Sequence, residues 1–181
     1  MNAPLNHVSL TRSIAEADFA LARSQCIDAF AILEHRVALA AKRLELPVNK
    51  DCLGRRVAAL AKAKRGPALS KADEPELSVW VQKTEPLITK RAWLVHSRMA
   101  LGDFDGEWRA CFANVVDLVT ENEIVMLASL ADLRKLRGAV QIQTKRLETL
   151  VKGVTPLSPK AQPNPPAQPS SAWPRRPAAD I

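Results

Sequence analysis

The stretch KRAWLVHSRM, residues 90–99, sets a histidine five places after an arginine, between Lys90 and Arg98. These side chains can do chemistry. An imidazole titrates near neutral pH, and a guanidinium keeps its charge and offers a rigid fork of donors to an oxyanion. On an ideal helix, residues five apart stand about 140° around the axis and ~7.5 Å along it. For Arg91 and His96 to converge on one ligand, a long arginine must reach round, the helix end must distort, or a second chain must contribute. The plain alternative is a helix whose charged residues face water.

Other candidate chemistry is sparse. His7 lies near the N-terminus, and His35 follows Glu34 in a helical stretch as a solvated or interfacial residue. Cys26, Cys52 and Cys111 are odd in number and far apart, as expected of buried reduced thiols in a cytoplasmic protein, not of a disulfide framework or a zinc site. His-Glu-x-x-His and Cys-x-x-Cys pairs, a Gly-rich phosphate loop and a Gly-x-Ser-x-Gly elbow are all missing from the sequence. This reading calls for no metal and no cofactor.

Basic residues gather between positions 42 and 65, where Lys42, Arg43, Lys50, Arg55, Arg56, Lys62, Lys64 and Arg65 face only Glu45 and Asp51. Arg55 and Arg56 stand away from the Leu53/Val57/Leu60 stripe, on a surface that phosphate contact can exploit through counterion release. The net charge of +7 favours polyanions without singling one out. No aromatic residues interleave these charges, so base stacking finds no support.

Helices must position these residues. Alanine and leucine supply most of the bulk, aromatics make up only 4%, and 181 residues suffice for one domain and a tail. Residues 1–12 are expected as a flexible N-terminus. Ser13-x-x-Glu16 has the form of a capping box opening a long helix, with Phe19, Cys26, Phe30, Leu33, Val37, Ala40 and Leu44 on one face and Pro47 as its stop. A second helix is expected over about 52–64, and a third after Ser70–Asp73, kinked or split near Glu85 by Pro86. Gly102–Gly106 is turn chemistry, and SRMAL with EWRACFANVV forms a short hairpin. Thr120-x-x-Glu123 then caps a last helix with Met126, Leu133, Val140 and Leu147 as its seam. The two long helices at the ends of the domain are expected to pair antiparallel, giving a mainly α, antiparallel bundle over residues 13–153. Residues 154–181 hold eight of the chain's 13 prolines and are expected as a disordered tail, in which Trp173, Arg175 and Arg176 are a possible docking motif. No apolar run is long enough to cross a bilayer, and no membrane partner is expected.

Arg91-x-x-x-x-His96 near the end of a bundle helix resembles the Arg-x(4–6)-His motif of the HEPN family, the higher eukaryote and prokaryote nucleotide-binding domains. The long opening and closing helices resemble that family too, over about residues 10–152. One position departs: the family commonly has Asn, Asp or His after the arginine, and here it is Ala92. The resemblance implies a homodimer that brings two motifs together around RNA, as a metal-independent endoribonuclease of toxin or defence type or as a binding relative. In that role His96 takes a proton from a ribose 2′-hydroxyl or gives one to the leaving oxygen, while Arg91 holds the phosphate. Lys90, Arg98, Arg55 and Arg56 would add phosphate contacts, and an antitoxin or other protein is a possible partner. The alternative is a non-catalytic helical interaction or adaptor protein.

Overall fold

A computed structural model describes residues 5–47, 52–64, 68–117 and 122–152. Helix α1 spans Leu5–Arg43, 39 residues or about 58 Å. Its inner stripe is as expected: Phe19, Cys26, Phe30, Leu33, Val37 and Ala40 are buried. Its start is not. The helix begins eight residues before Ser13, so Ser13 and Glu16 lie in its interior and the capping box does not form; Glu16 instead pairs with Arg12 at 3.0 Å. The helix ends in a Schellman motif, with Leu46 N–H donating to the Ala41 carbonyl at 2.9 Å and Glu45 N–H to that of Lys42 at 3.2 Å. Glu45 takes the left-handed position at φ 53°, and Pro47 follows two residues later.

Helix α2 (Leu53–Leu60) is shorter than expected but buries Leu53, Val57 and Leu60 as its spacing requires. Helix α3 (Asp73–His96) opens on Asp73, Glu74 and Glu76, carboxylates that suit the positive end of the helix dipole. Pro86 does not split it. The ring lies on the exposed side, beside exposed Gln82 and Glu85, where a carbonyl left without its donor can face water.

The hairpin appears where expected and is one strand larger. β1 (Arg98–Phe104), β2 (Glu107–Asp117) and β3 (Asn122–Ala128) form an antiparallel meander in the order β1-β2-β3. Asp105 and Gly106, both at positive φ, make the two-residue turn, and Gly106 N–H donates to the Asp103 carboxylate at 2.8 Å. Ala110 and Phe112 on β2 are buried, one face of a period-two pattern. The segment expected to begin the last helix is β3 instead: Ile124 and Val125 are β-branched and pair with Asn114 and Ala113. Helix α4 (Leu130–Leu150) starts later, at a capping box in which Ser129 and Asp132 satisfy each other's backbone donors. From Leu133 onward the expected seam holds, with Leu136, Val140, Leu147 and Leu150 buried.

Five cross-helix contacts fix the directions. On α1 and α4, Cys26 meets Leu133, Gln25 meets Arg137 and Arg36 meets Glu148, so residue numbers rise together and the two helices run parallel. On α3 and α4 the numbers oppose: Trp80 donates its indole N–H to the Gln143 carbonyl at 2.8 Å, and Glu76 pairs with Arg146. This corrects the antiparallel pairing expected of the first and last helices. An unbroken α3 is a single long element between them, so the chain runs up, down and up, and the outer two must point the same way. The bundle is mainly α, with the small sheet inserted between α3 and α4. The tail expectation lies outside the described residues.

Candidate functional site at the end of helix α3

Arg91 and His96 occupy different sides of α3. Arg91 is half-buried against α1, where its Nη2 lies 3.0 Å from Glu34 Oε2 with each side chain about one-third exposed. His96, the last helical residue, is exposed. The separation follows from the helix itself: Arg91 lies three residues before buried Leu94, on the side that meets α1, and five further residues carry His96 well round the axis. Within one chain the structure does not bring the two together.

The cation that does meet the end of α3 is Arg23, from α1. Its Nε donates to the Leu94 carbonyl at 2.8 Å and its Nη2 to the Ser97 carbonyl at 3.1 Å. The guanidinium also lies over the Phe112 ring, 5.9 Å from the centroid. Arg23 thus satisfies carbonyls that a helix C-terminus leaves without partners, and places a positive charge at the negative end of the dipole. Sequence reasoning misses it, although a signal is present. Arg23 interrupts the Phe19–Cys26–Phe30 stripe at a core-facing step, where a charged residue needs backbone partners to be tolerated.

The other expected phosphate contacts lie on three elements. Lys90 is exposed at the mouth of a groove of about 470 Å³ between α3, β3 and α4, lined by Leu87, Met126, Leu133, Lys135 and Leu136. Arg98 is exposed at the first position of β1, paired with Ala113. Arg55 is exposed and Arg56 half-buried on α2, beside the Leu53/Val57/Leu60 face. His35 is exposed on α1, and His7 lies in the first turn of the same helix.

The cysteines correct a further expectation, since only Cys26 is buried; Cys52 is exposed and Cys111 half-buried. Burial pushes the Cys26 thiol above its ordinary range, and it donates to the Leu133 carbonyl at 3.1 Å, so it is a packing group and not a nucleophile. Among the described residues no three His, Cys, Asp or Glu side chains come together as a metal site. No described helix is long and apolar enough to cross a membrane. In comparisons with known proteins, no family model, no curated protein and no solved structure matches this chain.

Proposed function

We propose that the chain is a non-catalytic helical interaction protein, in which the Arg91-x-x-x-x-His96 stretch braces the bundle. The observation that carries this reading is the Arg91–Glu34 ion pair. To clamp a phosphate, Arg91 must first give up a carboxylate that already takes its charge, then swing from the α1 side of the helix toward a histidine on another side. That swing forgoes a contact already made between two helices and leaves the Glu34 carboxylate to water, at a cost held to about 1 kcal/mol or less by solvent screening of a pair that is one-third exposed.

A second reading, metal-independent RNA cleavage by a HEPN-like bundle, keeps one observation in its favour. His96 stands exposed at a helix end, two residues before exposed Arg98, so its imidazole is open to a ribose hydroxyl. The two readings part in one experiment. Single-stranded RNA is incubated with the full chain in EDTA, alongside Arg91→Ala and His96→Ala. The interaction reading expects intact RNA throughout, and a lowered melting temperature for Arg91→Ala but not for His96→Ala. Cleavage that survives EDTA, leaves cyclic phosphate and 5′-hydroxyl ends, and disappears in both variants would establish the nuclease and sink the first reading.

A further inference from the structure

The flank of α1 that faces away from α3 carries a second heptad, read as Ile14, Asp18, Leu21, Gln25, Asp28, Ile32, His35 and Leu39. Steps of four and three alternate without a break, which keeps all eight side chains on one stripe about 37 Å long. Ile14, Leu21 and Ile32 are 56%, 58% and 55% exposed, among the most exposed large apolar residues of the described chain. Asp18, Asp28 and His35 are exposed as well. Along its open edge run Ala17, Ser24, Ala31 and Ala38, small residues every seven positions that would let another helix approach closely. Along its other edge lies α4, with a groove of about 320 Å³ beside Ile32 lined by Ala29, Thr144, Lys145 and Glu148.

We propose that two copies of the chain pair through this stripe, with their α1 helices antiparallel. The stripe is complementary to itself in one register. Laid antiparallel about a two-fold axis between Cys26 and Ile27, it sets Ile14 against Leu39 of the second copy and Leu21 against Ile32. The same register sets Asp18 against His35 and Gln25 against Asp28. Every layer is then matched, apolar with apolar or acid with a donor. Arg137 of α4 donates to the Gln25 side-chain oxygen, so the incoming Asp28 also meets a cation. The alternatives fail on charge. A parallel pairing stacks Asp18 on Asp18 and Asp28 on Asp28, and a one-heptad slip of the antiparallel pairing sets Asp18 against Asp28 in one direction and seats Asp28 against Ile32 in the other, juxtapositions that destabilise the pair. A purely apolar partner would leave both aspartates desolvated and unpaired.

The inference goes beyond the proposed function and stands whether or not the chain binds RNA. It also bears on the expected composite site. Arg23 and Glu34, which reach α3, lie on the side of α1 roughly opposite Leu21 and Ile32. In this dimer two α1 helices separate the two α3 helices, about 25–30 Å axis to axis at ordinary packing distances, so the His96 side chains do not share a cleft.

The test uses the full chain. Sedimentation velocity at tens of micromolar should give a dimer. Leu21→Glu should raise the dissociation constant about a hundredfold, since it seats a carboxylate in an apolar layer, while helicity and melting of the monomer stay unchanged. Asp18→His alone should weaken the dimer, and the exchange Asp18→His with His35→Asp should restore it. Register is read by oxidation with the exposed Cys52 replaced by serine. The double variant Leu21→Cys, Ile32→Cys should cross-link between positions 21 and 32, and Leu21→Cys alone should not cross-link. A monomer at these concentrations, a dimer indifferent to Leu21→Glu, or a 21-to-21 cross-link would each overturn the proposal.

Discussion

On one flank of α1, Phe19, Cys26, Phe30, Leu33 and Val37 are sealed against the other elements; on another, Ile14, Leu21 and Ile32 are each more than half exposed. Both stripes recur at steps of three and four, so spacing alone does not say which is core. What differs is the company they keep. The inner stripe admits one charge, Arg23, and gives it two carbonyls and an aromatic ring. The outer stripe alternates its aliphatics with Asp18, Gln25, Asp28 and His35. Such a surface tolerates water, and in the antiparallel pairing proposed above its polar residues would set the register.

The sharpest way to break that comparison is to truncate one residue on each flank. Phe30 is 1% exposed, and Phe30→Ala should cost about 3–5 kcal/mol in chemical denaturation, from lost transfer energy and the cavity left behind. Ile32→Ala, two residues away on the outer flank, should change monomer stability by less than about 0.5 kcal/mol. Equal losses at the two positions would mean that the outer stripe is packed within the monomer, and the contrast would fall.

A smaller effect is expected at the one charge on the inner stripe. Arg23→Met keeps most of the aliphatic stem but leaves the Leu94 and Ser97 carbonyls without their donors, at a cost of about 1–3 kcal/mol. Hydrogen exchange should localise the loss, with the last turn of α3 opening more readily while the middle of α1 does not. A uniform loss of protection would make Arg23 a general packing residue and not a cap. Because His96 belongs to that last turn, Arg23 also holds the candidate site in place without touching a ligand.

Much of this architecture is legible in the sequence, for reasons that also explain the errors. The inner stripe of α1, the Leu53/Val57/Leu60 face and the seam from Leu133 are strong periodic signals in single elements, and each holds. The misreadings concern punctuation. Pro86 has a helix-breaking chemistry that an exposed position can absorb, and a split there would give α1 and α4 the wrong relative direction. Met126 fits a helical seam and a strand equally well, since one residue carries no period; Ile124 and Val125 decide for β3 by pairing with β2, a contact between distant parts of the sequence. The candidate site is the least legible part. The sequence places Arg91 and His96 five apart, but Glu34, the partner that decides what Arg91 does, lies 57 residues away on another helix. Arg23, the residue that does meet the end of α3, looks in the sequence like one more cation.

Two serines sharpen the same lesson at the smallest scale. Ser13-x-x-Glu16 and Ser129-x-x-Asp132 both have the form of a helix start, yet only the second is one. Ser129 Oγ accepts from the Asp132 N–H at 3.1 Å and donates to its carboxylate at 2.8 Å, and Ser129 N–H donates to the same carboxylate at 3.0 Å. Ser129→Ala should therefore cost about 1 kcal/mol, whereas Ser13→Ala, inside a helix where alanine is the better former, should cost less than about 0.5 kcal/mol or stabilise slightly. The cap also has a pH signature. The Ser129 hydroxyl, then its backbone N–H, hold the Asp132 carboxyl below its ordinary range. A depressed folded value means that the unfolded chain takes up the proton first. The contribution is thus complete above the unfolded carboxylate value of about 3.9 and disappears as pH falls through the lower folded one. The stability gap between the wild-type chain and Ser129→Ala should be constant from neutral pH down to about 4.5 and narrow below about 3.9. A gap that widens in acid, or one that moves near neutral pH, would place its origin in a group other than Asp132.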